Sequence, residues 1–269
     1  MPTTAQVRQM LNKVPEVTVY FWIIKVLCTT VGETAADYLN TTLNFGLTMT
    51  SIVMGVLLIV ALVYQFWTRK YTPWIYWLSV VLISVVGTLI TDNLTDNFGV
   101  SLETTTVVFT IVLAIVFAVW YWIEKTLSIH SIVTSKREGF YWLAILFTFA
   151  LGTAAGDLTA EYFNLGYLVS LLLFVSLIAL VTAIHYGLRH RMASVQAHLT
   201  QNVATFWIAY ILTRPLGASI GDYLSQAQSE GGLGLGTTVT SFIFLGAILA
   251  LVVYLTMTRT DEITVSTDI

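Results

Sequence analysis

Eight runs of about 20 mostly apolar residues fill the chain, and polar residues gather in the short stretches between them. Runs of that length match the roughly 30 Å hydrocarbon core of a bilayer, at about 1.5 Å of helical rise per residue. The pattern predicts helices over Val17–Leu39, Leu47–Trp67, Trp74–Leu94, Val100–Trp122, Gly139–Leu158, Leu165–Tyr186, Val203–Leu224 and Leu235–Met257. The first helix of each successive pair is not uniformly apolar. It carries a stripe of polar and ionisable residues.

A fixed frame runs through those first helices: a tryptophan, a glycine ten residues on and an aspartate five after that. The four copies are Trp22, Gly32 and Asp37; Trp77, Gly87 and Asp92; Trp142, Gly152 and Asp157; and Trp207, Gly217 and Asp222. Repeats at a constant spacing define tandem structural units. The expected fold is an all-α polytopic membrane protein, with eight transmembrane helices from four tandem two-helix repeats in the same orientation. One membrane domain covers 1–260, with repeats at about 17–71, 72–136, 137–200 and 201–260, and a short cytoplasmic tail follows at 261–269. Two spans per repeat put any internal symmetry axis along the membrane normal, unlike inverted-repeat transporters.

Composition agrees: 57% of the 269 residues are hydrophobic and 10% are charged, against about 25% charged in a soluble domain. The single cysteine, Cys28, lies in an apolar run and excludes an internal disulfide or a cysteine metal motif. The segment before the first helix lacks a signal-peptide cleavage pattern, so that helix is expected to remain in the mature chain. Arg8, Lys13, Arg69, Lys70, Lys125, Lys136, Arg137, Arg189, Arg191 and Arg259 all fall on one side of the predicted spans, and no Lys or Arg falls in the opposite connections. The positive-inside rule therefore places both termini in the cytoplasm. Nothing in this distribution suits nucleic acid. The expected partners are the lipid bilayer and a small cation, and a homo-oligomer is allowed.

At about 100° per residue, four positions between each Trp and its Asp, the Asp included, stay near one face. They are Lys25, Thr29, Glu33 and Asp37; Val80, Ser84, Thr88 and Asp92; Ile145, Phe149, Thr153 and Asp157; and Tyr210, Arg214, Ala218 and Asp222. Charge facing lipid costs at least about 2.5–3.5 kcal/mol per residue near the bilayer centre, so the stripe is expected to point inward. A second polar column, four residues after a glycine on each partner helix, gives Thr50, Glu103, Ser170 and Thr240. Converging carboxylates are hard oxygen ligands suited to Mn, Mg or Ca. Asp37, Asp92, Asp157 and Asp222, with Glu33 and Glu103, are therefore the candidate cation ligands, and helix-end carboxylates facing water are the plainer alternative.

Lys25 and Arg214 are expected as charge partners, Arg214 neutralising a carboxylate such as Glu33 one turn away in height, or else both snorkel to an interface. Trp22, Trp77, Trp142 and Trp207 sit near the cytoplasmic helix ends, as an interfacial belt or as a gate at the inner end of the cavity. Gly32, Gly87, Gly152 and Gly217 are expected to allow close helix approach. His130, His185 and His190 lie at or beyond cytoplasmic helix ends without metal-ligand spacing.

At its four Trp-x9-Gly-x4-Asp units, the sequence resembles a family of bacterial membrane-anchored proteins built from four tandem copies of a two-helix repeat of unknown function. The resemblance spans about Val17 to Arg259 and implies an eight-helix inner-membrane protein; it implies no activity. The residues themselves point to a cation transporter, for a divalent metal such as Mn2+ and with proton-coupled export as an option. The ion is substrate, and no cofactor is expected. An organic-cation or metabolite carrier using the aromatic residues is the alternative, beside a structural or sensor protein. No Ser/His/Asp grouping or cysteine nucleophile supports an enzyme, although paired aspartates leave intramembrane aspartyl chemistry open.

Overall fold

The computed structural model describes residues 12–189 and 195–262. Arg8, His190, Arg191 and the predicted tail beyond 262 lie outside the described residues. Among the described residues, eight helices are long and apolar enough to cross a membrane. They are α1 (Val19–Asp37), α2 (Gly46–Trp67), α3 (Pro73–Asp92), α4 (Leu102–Glu124), α5 (Ser135–Asp157), α6 (Gly166–Arg189), α7 (Val195–Ser225) and α8 (Gly236–Thr258). The protein is thus a multi-pass membrane protein, all-helical over the described residues, as the apolar runs predict.

Local chemistry sets the ends. The hydroxyl oxygens of Thr18, Ser101 and Thr134 accept from the amides of Phe21, Thr104 and Arg137 and cap α1, α4 and α5. Pro73 opens α3, where its missing N–H costs nothing. The turns into α2 and α6 each need two residues in the left-handed region: Asn44 and Gly46 (φ 54° and 72°), and Asn164 and Gly166 (φ 53° and 73°). Asparagine and glycine are the residues that adopt it most readily. Helix α7 starts at Val195 rather than at the predicted Val203. The hydrophobic pattern marks only the part that suits hydrocarbon, and the polar residues before it extend the same helix.

Helices α1, α3, α5 and α7 close into an inner ring, each packed on the next and α7 on α1. The outer helices follow a cyclic rule: α2 packs on α3, α4 on α5, α6 on α7 and α8 on α1, so each repeat covers the inner helix of its successor. Outer side chains such as Val56, Ile59, Ile111, Leu172 and Leu249 stay exposed, the apolar surface lipid requires.

The repeated glycines explain how the ring closes. A Cβ on Gly32 would meet Ser84, on Gly87 Phe149, on Gly152 Arg214, and on Gly217 Thr29. Each glycine therefore seats the same stripe position, the second after the Trp, of the next repeat. Small residues that let backbones approach are the usual basis of helix association in lipid.

At the Trp end, residues 12–18 bind three other segments. The Lys13 amide donates to Ile132 O, the Tyr71 amide to Asn12 O and the Glu16 amide to Asp261 O, each at 3.0 Å. Lys13 Nζ reaches Glu138 Oε2 at 2.7 Å and Phe66 O at 3.0 Å, and Gln65 donates to the other Glu138 oxygen at 3.1 Å. The Tyr71 hydroxyl donates to Asp261 Oδ2 at 2.5 Å. Burial pushes the Asp261 carboxyl above its ordinary value, and the bond from Tyr71 only partly offsets this.

Two outcomes test this packing. Gly87→Ala places a methyl 2.5 Å from Phe149 Cβ and 3.2 Å from the Ala150 amide nitrogen, so it should lower stability by about 1–3 kcal/mol. Gly55→Ala, with nothing within 4 Å, should be neutral; thermal unfolding in detergent compares the two. For Asp261, the folded state holds the proton more tightly than the unfolded chain, so its contribution to stability falls as pH rises from about 3.9 through the raised folded value. Asp261→Asn should remove that component, seen as a difference between the melting-temperature profiles of variant and wild type across that window.

Candidate functional site

The stripe lies inside the ring as a series of layers. The aromatic layer comes first. Trp77, Trp142 and Trp207 are buried at 1, 4 and 5% exposure, and Trp22 is half-buried. They pack on the aromatic residue just before the Trp of the preceding repeat: Phe21 on Trp77 at 5.7 Å, Tyr76 on Trp142 at 5.5 Å, Tyr141 on Trp207 at 6.3 Å and Phe206 on Trp22 at 5.7 Å between ring centroids. Tyr76 and Tyr141 share a hydroxyl–hydroxyl hydrogen bond of 2.5 Å. Three of the four tryptophans are thus part of a plug between the inner helices rather than a lipid-facing belt. The Phe/Tyr-Trp dipeptide recurs in all four repeats, a sequence signal that an inventory of the tryptophans alone passes over.

Lys25 comes next. It is fully buried, with Nζ 4.1 Å from the Phe149 ring centroid and 4.2 Å from that of Tyr210. No described residue gives Nζ a hydrogen-bond partner. Cation–π contact holds it, and snorkelling does not occur.

Arg214 forms the third layer and is the most connected side chain in the ring. Fully buried on α7, it donates to each of the other three inner helices. Nη1 bonds Thr29 O at 2.9 Å; Nη2 bonds Glu33 Oε2 at 2.8 Å, Thr153 Oγ1 at 2.6 Å and also Thr88 Oγ1. Glu33, Thr88 and Thr153 each stand one helical turn before the Asp of their repeat. One repeat therefore supplies the guanidinium, and the other three supply its acceptors.

Above it stand the acids. Asp222 is buried, and Asp37, Asp92 and Asp157 are half-buried. Among the described residues no protein donor bonds any of these four carboxylates. They face one another closely enough to interact: Asp92 with Asp157 and Asp37, Asp222 with the same two, and all four with Glu33. Carboxylate oxygens of Glu33, Asp37 and Asp222 lie within 4.8 Å of one another. Oxygens on opposite sides of an ion bound at about 2.0–2.6 Å are at most about 5 Å apart, so this trio fits one hard cation. Directly after Asp37, Asp92 and Asp157 the helix widens into a π turn (Tyr38–Thr42, Asn93–Asn97 and Leu158–Tyr162), a local irregularity frequent at functional sites. These turns carry Asp96 and Glu161 into the field of the same cluster. Both stand one turn after the Asp of their repeat, so extending the frame by that turn finds them.

Glu103 does not join the cluster. It lies in the first turn of α4, beside the Tyr162 hydroxyl on the outside of the ring. The buried position is Thr105, which keeps the same spacing from its Trp as Thr50 and Ser170 do from theirs. Counting from Gly99 misplaces the column, because Ser101 stands in this repeat where Gly46 and Gly166 stand in theirs. His130 and His185 line a cavity of about 680 Å³ at the Trp end, away from the acids.

Removing one partner of a buried ion pair leaves an uncompensated charge and costs about 3–5 kcal/mol. Arg214→Met should therefore destabilise the protein by about that amount, and adding Glu33→Gln should recover part of the loss. Unfolding of both single variants and the double variant in detergent measures this coupling.

Neither a curated protein nor a solved structure matches the chain. The Repeat of Unknown Function (DUF347) matches residues 20–71, 75–126, 140–191 and 205–261, in register with the four Trp–Gly–Asp units. The chain belongs to the family built from this repeat.

Proposed function

We propose that the protein is a cation transporter of the bacterial inner membrane that carries a divalent ion such as Mn2+, with both termini and the Trp end in the cytoplasm. The observation that carries this reading is the set of converging carboxylates at the Asp end, left without protein donors above an arginine that fills the ring. Such carboxylates need protons, water or a cation to face one another, and a hard divalent ion satisfies several at once. The orientation is supported by ten Lys and Arg on the Trp side against none in the opposite connections.

In this reading the acids hold the ion at the outer end of the ring, from which proton-coupled export would release it. Glu33 would be shared between the ion and Arg214, so the guanidinium acts as a tethered cation that competes with the substrate and holds the ring closed when the ion is absent. Protons would compete for the same carboxylates, which gives cation–proton exchange. The organic-cation alternative draws less support, since Lys25 already occupies the aromatic faces of Phe149 and Tyr210.

Thermal unfolding of the purified protein with Mn2+, Mg2+, Ca2+, Zn2+ and a few organic cations tests this. An ion bound only by the folded state should add about 2.7 kcal/mol at 100 times its dissociation constant. Stabilisation by one divalent ion that disappears in Asp37→Asn and Asp222→Asn is expected. Flux in proteoliposomes should collapse in Asp92→Asn and Asp157→Asn, and normal flux in both would sink the assignment.

A further inference from the structure

Between the acid cluster and the Trp-end surface the ring holds a series of hydroxyl groups that the cation site does not use. Lys25 is its inner end. The groups facing it are Cys28 on its own helix, Tyr210 and Arg214 on α7, and the Phe149 ring on α5. None of these is a carboxylate, and Arg214 is already paired with Glu33. Beyond the two ring faces, an ammonium there has no counter-charge in a low-dielectric interior, which is costly; an amine that is protonated only in passing bears that cost only then.

From Lys25 the hydroxyls lead outward. The Tyr210 hydroxyl is buried without a partner among the described residues, and Tyr141 is its electrostatic neighbour. Tyr141 and Tyr76 are joined oxygen to oxygen at 2.5 Å. The Tyr76 ring meets that of Tyr71 edge-on at 5.6 Å, and Tyr71 donates to Asp261 at 2.5 Å. The other Asp261 oxygen is buried and has no partner among the described residues, and Glu262 beside it is partly exposed. Where two of these groups do not touch, one ordered water bridges polar atoms nearly as well as a direct bond. Two of the links are direct hydrogen bonds, and the others need such a water.

We infer that Lys25, Tyr210, Tyr141, Tyr76, Tyr71 and Asp261 form a proton path from the middle of the ring to the Trp-end surface, with Lys25 as the proton-carrying group. As the proton of a coupled exchange, it rests on the transport reading above. In one inward transfer the Asp261 acid gives up its proton and becomes a carboxylate. Each phenol accepts a proton on its oxygen as it releases its own to the next, and the Lys25 amine becomes an ammonium. Every tyrosine ends as it began, and the reverse sequence returns the proton.

The test uses full-length protein with 13C- and 15N-labelled lysine, the Lys25 signal being assigned by its loss in Lys25→Met. Exchange of the Lys25 Nζ protons with D2O is read from the isotope shift on its 13Cε resonance. Tyr76→Phe and Tyr141→Phe keep every ring and remove one hydroxyl each. Both should slow exchange about tenfold or more, while leaving Mn2+-dependent stabilisation as in wild type. Equal exchange in wild type and both variants overturns the path, whether or not Mn2+ binds. Slowed exchange in the variants, with no Mn2+ effect on wild type, upholds the path and sinks the cation reading instead.

Discussion

A guanidinium placed in the middle of a membrane protein must have every strong partner within reach, because no water competes to solvate it. Arg214 meets that demand by drawing on α1, α3 and α5 at once, and the ring is organised around this requirement. Its chain passes over Gly152, where a Cβ would collide with it. Among the described residues its one ion pair is with Glu33, Thr88 and Thr153 accept from Nη2 without adding charge, and Nε is left without a partner. Breaking the ring anywhere separates Arg214 from at least one acceptor. The interaction is therefore both the lock on the inner helices and the floor of the acid cluster.

The four repeats are alike where the inner helices pack and at the Asp, and unlike along the stripe between. Trp and Gly recur in every copy because ring closure uses the same contacts four times. The stripe positions between Trp and Asp vary from copy to copy, and there Lys25 and Glu33 arise on α1 and Arg214 on α7. Like charges repeated four times around one axis would repel strongly in a low dielectric. A single arginine against a single glutamate avoids this. At the Asp end all four acids are kept. There α1, α3 and α5 widen into π turns, and the aspartates they carry stay half-buried.

The fold is legible in the chain because its two determinants are periodic. Apolar runs of membrane length mark the helices, and the Trp–Gly–Asp frame marks the repeats. What the frame does not encode is the partner of each surface. The closure of the inner ring, with α7 returning to α1, follows from seating Ser84, Phe149, Arg214 and Thr29 on glycines of the preceding repeat, a contact between residues far apart in sequence. The site is half legible. Glu33, Arg214 and the four aspartates fall on one face of the inner helices, whereas Asp96, Glu161 and the aromatic residues before each Trp lie one turn or one residue beyond the Trp-to-Asp stretch. Glu103 is misplaced when Gly99 serves as the ruler, because in this repeat Ser101 holds the place that Gly46 and Gly166 hold in theirs.

The ends of the ring differ in chemistry, aromatic at one and acidic at the other. Opening the Trp end to an ion means parting four aromatic pairs, each worth about 0.5–1.5 kcal/mol beyond its buried area, and breaking the bond between Tyr76 and Tyr141 inside the plug. On the proposed path a proton would need no such opening, since hydroxyl groups only reorient. Opening the Asp end separates carboxylates that repel one another, which is favourable until an ion or protons bind. On the transport reading proposed above, the resting ring would be closed to ions at the Trp end and receptive at the Asp end. Binding at the acids would then shift that balance, because it would compete for Glu33 and so loosen Arg214.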